Sequence, residues 1–175
     1  MPTTITGTDG VSRVQTGAVE SGDLAAGAIG SGDLPAGSVI QVVHTVTNFE
    51  LALTSTTFVD TGYSISITPK SANSKILVTL AGGRIRTNGT TSTAVTKLII
   101  KRNGTAAIDS TNNVMRVGTL ASDELPISYS ALDNSHGATS ATTYNVFALS
   151  EDGTSVNINN GSVECFSITA MEIAG

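Results

Sequence analysis

The sequence predicts an all-β protein: an antiparallel β-sandwich, jelly-roll-like, preceded by an extended repetitive N-terminal arm. Three observations carry that expectation. From residue 38 onward, short runs alternate apolar and polar residues, the period of a strand with one buried face. Asn-Gly and Asp-Gly pairs fall between these runs, where tight turns need positive φ. Before residue 38 the chain instead repeats every ten residues, and no convincing amphipathic helix appears anywhere.

The arm comprises residues 1–37. Residues 17–26 read GAVESGDLAA, residues 27–36 read GAIGSGDLPA, and GSVI opens a third copy. Each full copy offers two apolar knobs: Val19 and Leu24, then Ile29 and Leu34. So few apolar groups cannot offset a backbone ordering cost of roughly 1–2 kcal/mol per residue. Frequent glycine also argues against a helix. A flexible linker has no use for large apolar side chains on a fixed period, so the expectation is an ordered arm. Repeats that cannot bury their own faces find partners by stacking. Val19, Leu24, Ile29 and Leu34 are therefore the expected oligomerisation or anchoring residues.

The head is expected over residues 38–175. Residues 38–47 (SVIQVVHTVT) are β-branched and partly alternating. Residues 63–69 place Tyr63, Ile65 and Ile67 on one face and Ser64, Ser66 and Thr68 on the other. Residues 75–82 carry Ile76, Val78 and Leu80 inward. Residues 95–102 run into Asn103-Gly104, the strongest short hairpin signal. Residues 126–132 and 143–151 follow, the latter ended by Asp152-Gly153. Asn160-Gly161 joins residues 155–159 to 162–173. The count is eight to ten strands, with residues 118–125 left as either one helical turn or a loop.

Composition excludes several function classes. Charged residues make up 13% of the chain, about half the ~25% of typical soluble domains, and Ser, Thr, Asn and Gly stand in their place. That suits a surface partly covered in an assembly. Net charge is −5, and nine Lys and Arg are scattered with only Lys97, Lys101 and Arg102 approaching a cluster. Nucleic-acid binding, which draws its affinity from cations on phosphates, is not expected. The lone Cys165 permits no intrachain disulfide. The opening MPTTITGTDG lacks a basic start and an apolar core, and no stretch has the roughly 18 apolar residues of a span. The expectation is a chain made in a cytoplasm, not inserted in a membrane.

The search for chemistry yields little. His44 sits in a strand-like run, where packing or a hydrogen bond is the ordinary role; His136 lies in a polar loop; Cys165 reads as a small buried hydrophobe. Two histidines and one cysteine give no zinc spacing. Asp9, Asp23 and Asp33 stand near glycines, as calcium ligands do, but Asp in such repeats more commonly caps a turn. No cofactor and no metal are expected, and no catalytic residue. Residues 86–96 and 133–143 read as sugar-recognising loops or as plain solvated ones.

The residues resemble a known group. GAVESGDLAAGAIGSGDLPAGSVI is similar to the GAV-x-x-x-x-LA-x-GAV repeats of phage fibre and virion appendage proteins. The start GSVIQVV, the block TTFVDTG, ITP and SANSKILV (residues 56–78), and the ending SITAMEI resemble β-domains of marine and cyanobacterial tailed phages. Residues 86–96 and 118–142 match nothing in that group. The resemblance implies a homotrimeric structural virion protein, a fibre or spike whose arm meets phage tail or capsid proteins and whose head meets a host surface glycan. A capsid cement or decoration protein is the alternative. A carbohydrate-active enzyme is the third reading; it requires two carboxylates facing across a cleft, about 5–10 Å apart, and Asp and Glu are scarce outside the predicted turns.

Overall fold

A computed structural model describes residues 29–88, 94–108, 115–119, 124–159 and 165–175. Val19 and Leu24, the Asn160-Gly161 turn, and Asp9 and Asp23 lie outside these residues. The described chain holds eleven strands and one short 3-10 turn, Ser31–Asp33. In order these are β1 (Val39–Thr47), β2 (Leu51–Leu53), β3 (Val59–Ile67), β4 (Lys75–Thr87), β5 (Ala94–Arg102) and β6 (Ala106–Ala107). After them come β7 (Met115–Thr119), β8 (Glu124–Asp133), β9 (Thr142–Ser150), β10 (Val156–Ile158) and β11 (Phe166–Ile173).

The strands form two antiparallel sheets, and the pairing gives the wrapping of a jelly roll. One sheet has the order β1-β11-β4-β8, with β2 and β10 continuing the β1 and β11 positions along the length of β4. The other has the order β3-β9-β5-β7. The pairs β1·β11, β3·β9, β4·β8 and β5·β7 are the successive rungs of one long hairpin. That hairpin is folded over so that alternate rungs fall in opposite sheets, the two-layer solution that lets each sheet bury one face. The antiparallel sandwich expected from the sequence is the observed fold.

The inward residues are those the alternation marks. Tyr63, Ile65 and Ile67 of β3 meet Ile76, Val78 and Leu80 of β4, all at most 4% exposed. Leu98, Ile100, Tyr144, Val146, Phe166 and Ile168 complete the centre. Tyr63 stacks at a tilt between Phe49 and Phe166, with ring centroids 4.5 and 5.0 Å away. Each such aromatic pair adds about 0.5–1.5 kcal/mol beyond its buried area.

Turn chemistry also holds where it is described. Asn103 and Gly104 both have positive φ, 50° and 70°, and the Thr105 amide donates to the Arg102 carbonyl at 3.2 Å. That is the type I′ geometry an Asn-Gly pair is suited to. A second glycine requirement was not expected. At Gly82 and Gly83 (φ 80° and 62°) β4 bulges, and its register with β8 shifts there. On one side of the bulge β4 pairs with β11, on the other with β10. A Cβ on Gly82 would stand 2.6 Å from the Cys165 carbonyl oxygen.

The structure corrects three expectations and adds a pair of buried carboxylates. Residues 118–125 are not a helical turn at their ends: Gly118 and Thr119 close β7, and Glu124 and Leu125 open β8. Cys165 is exposed, not buried, because it precedes β11 at the β4 bulge. Among the described residues the strands number eleven, since Leu51–Leu53 and Met115–Thr119 are too short for their alternation to register against the flanking polar residues. Finally, Asp133 and Glu172 are strand carboxylates that are fully buried.

Candidate assembly surface

A hydrolase would place its acids inside a cleft, and the two buried carboxylates have the residue type for that role. Glu172 and Asp133 flank Ile76 in one cross-strand row, Glu172 on β11 and Asp133 on β8. Two strand spacings separate their backbones by about 10 Å, with the buried Ile76 side chain between them. Glu172 accepts hydrogen bonds from Ser74 Oγ (2.7 Å) and from the Lys70 and Ser71 amides (2.8 and 3.1 Å). Gln41 Nε2 adds another at 2.5 Å. Asp133 accepts from Arg102 Nη1 at 2.9 Å on each oxygen, from Tyr144 Oη at 2.9 Å and from the Ser135 amide at 3.0 Å. Both groups are saturated by the fold and pin loops to strands.

Ser74, His136 and Glu172 have the residue types of a nucleophile relay, but their protons run the wrong way. The Ser74 hydroxyl lies 2.7 Å from Glu172 Oε1 and 2.7 Å from the Ser71 carbonyl, and donates there. His136 Nδ1 accepts from the Ala138 amide at 3.2 Å, so Nε2 carries the proton and donates it to the Ser74 carbonyl at 2.8 Å. Nε2 also lies 3.3 Å from the Ser74 hydroxyl, but it already carries a proton and cannot take up the one that nucleophile activation requires removed. The same contacts change the reading of residues 133–143. Asp133 ends β8 and Thr142 opens β9, and in the loop between them, residues 134–141, His136 is 8% exposed and anchors the loop to Ser74. Among the described residues no group of three or more His, Cys, Asp or Glu is placed to hold a metal.

Leu34 is half-buried at a cleft of about 360 Å³ lined also by Gly32, Ile40, Lys70, Ser71, Asn73, Ala174 and Gly175. The Gly37 amide donates to the Ala174 carbonyl and the Ala174 amide to the Ser38 carbonyl, both at 2.8 Å, tying the arm's end to the head. Asp33 accepts from the Gly30 amide at 2.8 Å, which is the turn-capping role the sequence favours. Ile29 is 56% exposed and does not line the cleft. The structure thus seats one of the two described knobs on the head and leaves the other in solvent.

The outer faces of the two sheets differ in chemistry. On the β3-β9-β5-β7 sheet, Lys97 and Arg116 bind Glu151 at 2.9 and 3.1 Å, and Lys101 Nζ lies 4.2 Å from the Phe147 ring centroid. This is an ordinary solvated face. The β1-β11-β4-β8 sheet presents three successive cross-strand rows without one Asp, Glu, Lys or Arg. The first row is Val42, Met171, Leu77 and Leu132; the second His44, Thr169, Thr79 and Ser130; the third Val46, Ser167, Ala81 and Ser128. All twelve are exposed or half-exposed, Val42 at 56% and Val46 at 51%. His44 Nδ1 and Thr169 Oγ1 share a hydrogen bond of 2.9 Å, the modest role expected of a strand histidine. Charge returns only at the borders, with Lys75 at one end and the Arg84–Glu124 ion pair at the other. Sequence reading missed this face because which four residues share a row is a matter of register between strands far apart in the chain.

No known family profile matches the chain, and no curated protein matches it. Among solved structures it is similar to a Bacillus endospore appendage pilus protein (11% identity, 81% of this chain and 96% of that one, TM-score 0.34). It is similar also to a xylan-binding domain from Paenibacillus barcinonensis (10%, 81% and 99%, TM-score 0.32). A third is the infectious bursal disease virus subviral particle protein (8%, 78% and 38%, TM-score 0.32). At these scores the likenesses assign neither a family nor an activity.

Proposed function

We propose that this chain is a structural protein of a bacteriophage virion, a homotrimeric fibre or spike-like appendage. Its N-terminal repeat joins subunits to one another and to the particle, and its jelly-roll head stands outside. The observation that carries the reading is the uncharged outer face of the β1-β11-β4-β8 sheet. Its first row, Val42, Met171, Leu77 and Leu132, is wholly apolar, and exposed apolar patches mark association sites. The head has one face suited to water and one suited to being covered. The decapeptide repeat and its likeness to virion appendage repeats supply the viral part of the proposal.

Native mass spectrometry of the full chain tests it. The expected species has three times the 17.7 kDa chain mass. Met171→Glu, which places a charge in the half-exposed first row, is expected to yield folded monomer. A wild-type chain that stays monomeric at micromolar concentration would overturn the reading. Copy number per particle separates a tail appendage, with a few trimers, from a capsid decoration, with hundreds.

A further inference from the structure

Resting on that self-assembly reading, we infer how the copies meet: three β1-β11-β4-β8 sheets face a common threefold axis, and β1 of each copy abuts β8 of the next. The occupant of the neutral face is a second and a third copy of this chain.

Charge, dimension and edge argue for it together. The three central rows hold no charged residue, so copies brought face to face meet no like-charge repulsion. Four strands spaced about 4.8 Å apart make a face roughly 14–19 Å wide. Three such faces closing a triangle place each sheet roughly 4–6 Å from the axis, about half the ~10 Å at which sheets pack. Four faces would stand roughly 7–10 Å away and leave a hollow axis. Two faces would fill the gap between them, but the β1 and β8 edges, nine and ten residues long, would stay open to water, a liability for long edge strands.

The edges carry the matching chemistry. Across these three rows β1 and β8 are the two borders. Val42, at the β1 border, is 56% exposed, and Leu132, at the β8 border, is 37% exposed. They are the two ends of one row. Rotation about the axis brings Val42 of one copy to Leu132 of the next, so the row closes into an apolar ring. The row below closes in the same way, His44 against Ser130. The arm enters β1 directly at Val39, so three arms leave this arrangement side by side, as partners for one another.

An engineered disulfide reads the contact. Within one chain Val42 and Leu132 are three strand spacings apart, roughly 14 Å, beyond the about 7 Å that a disulfide can span between Cα atoms. In the full chain carrying Cys165→Ser, the pair Val42→Cys and Leu132→Cys should oxidise to covalent dimers and trimers that reduction dissolves. Each single substitution should give no trimer ladder. The pair His44→Cys with Ser130→Cys repeats the measurement one row down, without touching an apolar residue. If neither pair cross-links while native mass still shows a trimer, the arrangement is wrong and self-assembly stands. A native dimer overturns the threefold arrangement, and a native monomer overturns self-assembly with it.

Discussion

Ser74 Oγ donates to Glu172 Oε1 across 2.7 Å, joining the loop after β3 to the last strand over 98 positions of sequence. Burial by itself would raise the Glu172 carboxyl, but hydrogen bonds from Ser74, Gln41 and the Ser71 and Lys70 amides outweigh it and hold it below the usual glutamate value. A carboxyl lowered by folding binds more protons unfolded than folded. Its contribution is therefore present above the unfolded pKa and lost as pH falls through the folded one. The denaturation midpoint should fall on acidification from about pH 5 downward. Glu172→Gln should lose about 2 kcal/mol at neutral pH and show a flatter acid limb. Parallel acid limbs in the two proteins would assign the effect elsewhere.

Asp133 holds Arg102 and Tyr144 together in a site that is 1% exposed. Asp133→Ala leaves a guanidinium and a phenol without their partner and should cost about 3–5 kcal/mol by urea denaturation. Tyr144→Phe removes one hydrogen bond and should cost about 1 kcal/mol. A loss for Asp133→Ala no larger than for Tyr144→Phe would mean that water replaces the carboxylate freely.

Burial pushes the Tyr144 hydroxyl far above the ordinary phenol range, and the Asp133 charge and hydrogen bond push it further. Burial does the same to Tyr63, helped by the Glu50 charge. Ultraviolet titration of the native protein should give no phenolate signal from either residue up to about pH 11. Tyr63→Phe and Tyr144→Phe should then titrate like the parent over that range; a smaller phenolate step in either variant contradicts the assignment.

Gly82→Ala tests the β4 bulge. Positive φ and a 2.6 Å approach of the new Cβ to the Cys165 carbonyl both oppose it. The strain should lower stability by about 1–3 kcal/mol. Gly104→Ala, where φ is also positive but no atom lies within 4 Å of the added Cβ, should cost less. Equal costs would leave backbone conformation alone responsible.

Much of the fold was legible in the chain. Strict alternation in β3 and β4 fixed which of their residues face the core, because neighbouring side chains of a strand must point to opposite sides. Asn103-Gly104 marked its own turn, since few other residues accept two positive φ values in succession. The buried pair Asp133 and Glu172 was not legible. Their strands look amphipathic only if the carboxylates are counted as polar and outward, and the groups that satisfy them come from residues as far as 131 positions away.

By itself, the sequence determined the sandwich class, the inward faces and the repeat that carries Val19, Leu24, Ile29 and Leu34. Those are consequences of local periodicity, which each segment expresses without its neighbours. Only the tertiary structure decided that Val42, Met171, Leu77 and Leu132 form one row. They come from four strands, and pairing register, which a one-residue slip would invert, is settled by packing across the whole core.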